Sequence, residues 1–309
     1  MHARGQVRWY GLAACMLSAA CVNAQPPAGP GQSETVRRGQ QLMRQGQTEQ
    51  ALALFRQELA ATPNSVPANT AAGIALDLLG RGAEARTYFA KAIEAAATPQ
   101  ARANAQRAMA MSYAFEGDCR NTVRYEQQVF DYYVATKNYY QQGEMADEAA
   151  RVCIDSGDLD TAYQWYQKGH QAGLQEPDIQ PDRKDLWDFR WEHAQARIAA
   201  RRGNLAEARK HVQAARKILD KDPEMAKAQE IFFPYLTGYV AFYSGDYRTA
   251  LADLEHANAR DPFIQCLIAQ TYEKLGDSAK AAEYFQKAAA ATAHNPPAAY
   301  AHRVAKRRG

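Results

Sequence analysis

The stretch GDYRTALADLEHANARDP, residues 245–262, carries the phrase that decides the fold of this chain. Ala250 stands five residues after Gly245, and the large apolar residue Leu254 follows four residues later. Glycine adopts the positive φ at which one helix ends, and the aspartate after it can cap the next helix. Ala250 and Leu254 then share one face of that helix. The stretch therefore predicts a turn followed by the second helix of a helical hairpin.

The same phrase recurs along the chain. It begins again at Gly46, Gly80, Gly117, Gly157, Gly203 and Gly276. The copy at Gly117 is the weakest, because Thr122 replaces the alanine and Glu126 stands where a large apolar residue is expected. Upstream of the glycines, segments such as Thr70–Leu76 and Thr237–Tyr239 predict the first helix of each hairpin. Tandem repetition of one helical unit is typical of a solenoid.

The units differ in length. Subtracting the numbers of successive turn glycines gives spacings of 34, 37, 40, 46, 42 and 31 residues. The first two units are regular, whereas the third to fifth, about residues 103–230, must contain longer helices or loops. Pro177 and Pro181 place the longest predicted loop between Gln175 and Arg183.

These hairpins resemble the tetratricopeptide repeat, a unit of about 34 residues, over residues 34–294. The tryptophan typical of its first helix is absent from every unit. The resemblance implies an all-α, right-handed α-solenoid of about seven hairpins, whose concave face is lined by the first helices. Residues 295–309, with Pro296-Pro297 before a short basic helix, are similar to the capping helix and tail that end such arrays.

The N-terminus has the pattern of an export signal. Arg4 and Arg8 precede an uncharged, mostly apolar segment from Trp9 to Val22. Val22-Asn23-Ala24 offers small residues for cleavage, so residues 1–24 are predicted to be a signal peptide and residues 25–33 a Pro/Gly-rich linker. The mature chain is expected in the periplasm or outside the cell.

Lipidation is the alternative form of export. Leu12-Ala13-Ala14-Cys15 resembles a lipobox, but cleavage there leaves a very short apolar segment. Cys21 is better placed, although it lacks the leucine three residues upstream. Two forms therefore stay open, a soluble chain from Gln25 or an outer-membrane lipoprotein lipidated at Cys21. Membrane contact is expected only in the lipidated form.

The resemblance also gives a candidate partner-binding groove. When the first helices are projected onto the concave face, an aromatic stripe and a group of basic residues lie there. The candidate residues are Phe232, Tyr235, Tyr239, Phe242, Arg107, Arg151, Arg190, His193 and Arg197. Basic groups beside aromatic rings suit a partly acidic peptide or a helix. The alternative is that the aromatic side chains pack between hairpins, as most stripes at helical spacing do.

An alternative function is that of an enzyme, or of a protein that binds small molecules or glycans, with its site in the irregular third to fifth units. Trp187, Arg190, Trp191 and His193 lie close together there. No motif of a nucleophilic, nucleotide-binding or zinc enzyme occurs, so no catalytic residue, metal or cofactor is expected. The net charge of +3 gives no support for nucleic-acid binding. The leading prediction is a non-catalytic exported scaffold that binds a protein or peptide.

Three cysteines remain after the predicted leader, and they are Cys119, Cys153 and Cys266. Cys119 follows one turn glycine and Cys153 precedes the next, so neighbouring hairpins can bring them together. A Cys119–Cys153 disulfide and two buried thiols are both compatible with this spacing.

Overall fold

The computed structural model of the chain describes residues 32–221, 223–306 and 308. The predicted signal peptide, Cys15, Cys21 and residues 25–31 of the predicted linker lie outside this part. None of the described helices combines the length and hydropathy that crossing a membrane requires.

The described chain consists of helical hairpins in succession. In order they pair α1 (Glu34–Arg44) with α2 (Thr48–Ala61), α3 (Val66–Leu78) with α4 (Gly82–Ala95), α5 (Pro99–Glu116) with α6 (Cys119–Ala135), α7 (Tyr139–Ser156) with α8 (Leu159–Leu174), α9 (Pro181–Arg201) with α10 (Leu205–Leu219), α12 (Phe233–Ser244) with α13 (Tyr247–His256), and α14 (Pro262–Leu275) with α15 (Ser278–Ala289). The short α11 (Pro223–Gln229) and a 3-10 turn precede α12, and α16 (Pro296–Lys306) follows the seventh hairpin. Each hairpin packs on the next, which confirms the predicted all-α solenoid.

The turn glycines adopt the conformation that the repeated phrase predicts. All seven have φ between +73° and +95°. In the third to seventh hairpins, the Asp or Asn after the glycine accepts a hydrogen bond from the backbone N–H three residues on, as Asp246 does from Thr249. The glycine thus ends the first helix, and the capping side chain starts the second.

A buried small residue lies seven positions before each turn glycine, and the set is Gly39, Gly73, Ala110, Ala150, Ala196, Gly238 and Ala269. The large residue of the second helix packs against this small residue. A Cβ at Gly39 would lie 2.3 Å from the Phe55 ring, and one at Gly73 would lie 2.5 Å from the Phe89 ring. The small residue therefore lets the two helices touch, and the core runs between them along the whole array.

The middle hairpins owe their extra length mainly to their helices. α5 and α7 have 18 residues each and α9 has 21, whereas α1 and α3 have 11 and 13. The connection between α8 and α9 covers residues 175–180, and Pro181 is the first residue of α9. Proline suits that position because the first N–H groups of a helix have no partner within it.

Candidate functional site

The helix α16 contacts hairpins that are distant from it in the sequence. It packs on α14 and α15 directly before it, as a capping helix does, and also on α5 and α7 of the third and fourth hairpins. Because α5, α7 and α14 are all first helices, α16 lies on the face that these helices form. Pro296, Ala298, Ala299, Tyr300 and Ala301 are its buried residues. The predicted cap thus also bridges distant hairpins.

We call the surface beneath α16 the α16 seat, and define it by Asp77, Phe115, Gly117, Asp155 and Phe263. Phe263 of α14 contacts Tyr300, with ring centroids 4.5 Å apart. Phe115 of α5 contacts two imidazole rings, those of His294 at 5.3 Å and His302 at 5.5 Å. The seat therefore combines residues from the second, third, fourth and seventh hairpins.

A hydrogen bond at the start of the α16 segment joins it to the second hairpin. His294 Nε2 lies 2.8 Å from Asp77 Oδ2, across 217 residues of sequence. Ser112 of α5 donates to the other oxygen of Asp77, Oδ1, at 2.8 Å. Asp77 is buried, so both carboxylate oxygens have partners where an unpaired one would be costly.

Arg303 provides the second polar link. Its Nη2 donates to the backbone oxygen of Asp155, in the last turn of α7, at 3.0 Å. The same guanidinium lies against Gly117, the residue that ends α5. Because the C-terminus of a helix carries partial negative charge, the positive group interacts favourably with both helix ends.

Beside this link lies a cleft of about 300 Å³. It is bounded by the turn of the second hairpin, the end of α5 and the last turns of α16, with Leu79, Glu116 and His302 among its lining residues. Glu116 reaches solvent and forms an ion pair with Arg86 at 2.9 Å. The cleft therefore offers both apolar surface and charged groups next to the α16 seat.

The predicted aromatic stripe lies between hairpins. Phe232, Tyr235 and Tyr239 are buried, and Phe242 is half-buried. The Tyr235 ring lies 5.3 Å from the imidazole of His193 and 5.9 Å from the ring of Phe263. The close approach of α12 to α9 and α14 leaves no room for an open aromatic face here.

Two of the predicted basic residues, Arg190 and Arg197, bond to side chains of neighbouring hairpins. Arg190 forms a buried ion pair with Glu144. Arg197 donates to the hydroxyl groups of Tyr166, at 2.8 Å, and Tyr235, at 3.4 Å.

The remaining basic candidates are also engaged. Arg107 donates from Nε to Glu148 Oε2 at 2.7 Å, although its side chain keeps 42% exposure. The Arg151 guanidinium lies 5.0 Å from the centre of the Phe263 ring. Of the predicted groove residues, Arg107 is thus the most open to a partner.

α9 carries a row of arginines and α7 a row of acidic residues, which the sequence did not lead us to predict, and Arg190 and Glu144 pair between them. Arg183, Arg190 and Arg197 repeat every seven residues on α9, and acidic residues Glu144, Asp147, Glu148 and Asp155 lie along α7. A spacing of seven keeps side chains near one helix face, so this period was the available signal. Burial raises the pKa of Asp147 to about 7 and that of Asp155 to about 6, despite nearby arginines.

Glu126 lies fully buried in the third hairpin, at the position that Phe55 and Phe89 occupy in the first two. Burial raises the pKa of its carboxyl well above the usual range, and the charge on Glu148 raises it further. Burial also lowers the pKa of His193 well below its usual value. Both groups are thereby held towards their neutral forms.

Cys119 and Cys153 form a disulfide between α6 and α7, with their Cα atoms 4.8 Å apart. Cys266 is a buried thiol, and burial raises its pKa to about 12. A thiol with so high a pKa is a poor nucleophile at neutral pH.

In the third to fifth hairpins, large side chains fill the space between the helices. Trp187 is buried against Gly143 and Gly173, where a Cβ would lie 2.2 Å from its ring in each case. The ring of Trp191 stacks on His170 at 5.3 Å. Within the described part of the chain, His, Cys, Asp and Glu residues form no group of three or more that could hold a metal ion.

Comparison with known proteins identifies the hairpins at the two ends of the array. The family model described as "Tetratricopeptide repeat" matches residues 36–102 and 235–296, which span the regular hairpins at the two ends of the array. A tetratricopeptide repeat protein from Parabacteroides merdae is 15% identical, with a TM-score of 0.52, over 82% of this chain and 91% of its own.

A second solved structure contains nearly identical tetratricopeptide-like repeats attributed to a kinesin light chain of Podospora anserina. It is 17% identical, with a TM-score of 0.50, over 60% of this chain and 94% of its own. At these identities the likeness concerns the fold alone. No curated protein sequence matches the chain.

Proposed function

Because the chain belongs to the tetratricopeptide-repeat family, we propose that it is a non-catalytic, exported scaffold that binds a protein or peptide on the face formed by its first helices. Stacked helical hairpins present an extended surface on which a partner can lie. The observation that carries this proposal is α16 itself, since it is a helix bound across α5, α7 and α14.

The cleft beside α16 is the proposed point of entry for the partner. Glu116 and the half-buried Leu79 are accessible there, and Arg107 lies on the same first helix as Glu116. A partner with both apolar and charged side chains suits this lining.

Export is the second part of the proposal. It is supported by the leader pattern of residues 1–24 and by the Cys119–Cys153 disulfide, because disulfides persist in oxidising compartments. The mass of the mature chain from native cells distinguishes a soluble form beginning at Gln25 from a form lipidated at Cys21.

The binding surface is tested by capture of partners from the native envelope with a tagged chain. Glu116→Lys reverses a charge in the cleft, and Arg120→Glu reverses an exposed charge on the second helix of the same hairpin as its control. We expect the first variant to lose partners that the control keeps. Equal recovery by both variants and by the unmodified chain would exclude the cleft as the contact surface.

A further inference from the structure

We propose that α16 is a removable internal ligand. In this view the α16 seat is the partner-binding site. It takes an alanine-rich partner helix that carries an arginine at the position of Arg303 and is preceded by a histidine at the position of His294. This inference rests on the proposed scaffold function and adds to it the chemistry of the partner and the way in which access is controlled.

The contact between α16 and its seat is made mostly by small groups. Three of its buried residues, Ala298, Ala299 and Ala301, each contribute a single methyl group, and Pro296 and Tyr300 add larger apolar surface. Hydrophobic stabilisation grows with the apolar area removed from water. Alanine methyl groups remove little area each, so we expect α16 to be an element that opens locally while the rest stays folded.

On the side of the second hairpin, α16 borders an open cleft. The cleft of about 300 Å³ separates the last turns of α16 from the turn at Leu79 and Gly80. The segment before α16, residues 291–295, contains no helix, so α16 can swing away without unfolding α15.

The seat keeps its receptor groups when α16 leaves. Ser112 holds Asp77 through Oδ1, so the other oxygen, Oδ2, stays directed at the place that His294 takes. The Asp155 carbonyl and Gly117 lie at the C-terminal ends of α7 and α5, where partial negative charge is fixed by the helices themselves.

The charges of the seat select a basic ligand. Asp77 and the two helix ends are negative or partially negative, and Glu116 lies at the rim. The segment that the seat holds carries His294, His302 and Arg303, followed by the basic residues 306–308. A partner segment with the same two anchors, a histidine just before its helix and an arginine nine residues later within it, meets the same acceptors and the same small-residue contact.

The test uses the full chain and a labelled peptide with the sequence of residues 291–308. The double variant His294→Ala/Arg303→Ala weakens α16 in its own chain but leaves the seat unchanged. We expect amide exchange in residues 296–306 to rise in this variant. We also expect it to bind the peptide about tenfold tighter than the unmodified chain, because α16 no longer competes.

Two controls assign the binding to the seat. Adding Asp77→Asn to the double variant should remove the gain in affinity, and a peptide with alanine at the histidine and arginine anchors should bind neither chain. Circular dichroism and thermal unfolding report whether each variant is folded. If the alanine variant is not, the milder His294→Gln/Arg303→Gln variant replaces it.

Either of two results overturns the proposal. One is unchanged exchange in α16, which means that it is a fixed part of the fold. The other is raised exchange with no gain in peptide affinity, which means that the exposed seat binds no such helix. Neither result removes the proposed scaffold function, because the Glu116→Lys capture experiment tests a surface that stays exposed when α16 is bound.

Discussion

Arg303 lies in the space that a side chain at residue 117 would fill. A Cβ built on Gly117 would lie 1.7 Å from Arg303 Nη1, and Gly117 also has a φ of +75°. Gly203 has almost the same φ, +76°, but nothing lies within 4 Å of its would-be Cβ. Alanine at residue 117 would therefore be strained by the positive φ and would also displace Arg303, whereas alanine at residue 203 would be strained by the positive φ alone.

We expect Gly117→Ala and Gly203→Ala each to lower the free energy of unfolding by about 1 kcal/mol, because alanine is strained at positive φ. Only Gly117→Ala should also push the flexible Arg303 away from the Asp155 carbonyl and raise amide exchange in α16. Urea unfolding combined with hydrogen exchange measures both effects. Equal exchange in the two variants would show that Arg303 does not hold α16 in place.

The acids of α7 predict an unusual dependence of stability on pH. Burial raises the pKa of Asp147 from 3.8 to about 7, and that of Asp155 from 3.8 to about 6. The folded chain therefore keeps protons on these groups that the unfolded chain releases. Their contribution to stability is full below about pH 4 and is lost as the pH rises through these two values.

Asp147→Asn tests this dependence. At pH 7.5 we expect the variant to be more stable than the unmodified chain, by on the order of 1 kcal/mol, because the amide imitates the neutral acid. The gain should shrink as the pH falls to 4.5. Asp253→Asn on α13 is the control. Unfolding midpoints at several pH values measure the effect, and a gain independent of pH would contradict the assignment.

The buried pair Arg190–Glu144 and the exposed pair Lys280–Glu283 differ in how far water screens them. The side chains of the first pair have 6% and 1% exposure, and those of the second have 49% and 44%. Glu144→Gln leaves a buried guanidinium without its counter-charge, so we expect a loss of about 3 kcal/mol. Glu283→Gln should leave the unfolding midpoint nearly unchanged, because exposed pairs contribute little. Similar losses for the two variants would mean that water reaches Arg190.

The disulfide predicts a dependence of stability on redox conditions. Cys119→Ala/Cys153→Ala should lower the free energy of unfolding by about 3 to 4 kcal/mol, since the bond closes a loop of 34 residues in the unfolded chain. Reductant should lower the melting temperature of the unmodified chain but not that of this variant. Intact mass after alkylation under denaturing conditions counts the free thiols, and an identical count with and without reductant excludes the bond.

The local part of the fold could be predicted because each hairpin is specified by nearby residues. Gly245 ends one helix, Asp246 caps the next, and Leu254 packs over Gly238 within the same unit. These relations fall within about one repeat length, where helix geometry alone fixes which side chains meet.

The contacts between hairpins could not be predicted in the same way. Arg190 meets Glu144 across 46 residues, and His294 meets Asp77 across 217. Their meeting depends on how the hairpins pack on one another, which the pattern within one repeat does not specify. The sequence therefore indicated Arg190 as a groove residue, whereas the packing of the fifth hairpin on the fourth places it in a buried pair with Glu144.

The bridge made by α16 changes how unfolding can spread. In an open solenoid each repeat depends on its immediate neighbours only, so damage at one end stays there. Here the contact between His294 and Asp77 makes the second hairpin a neighbour of the segment that follows the seventh. Unfolding of the seventh hairpin would therefore also remove a contact made by the second hairpin, near the other end of the array.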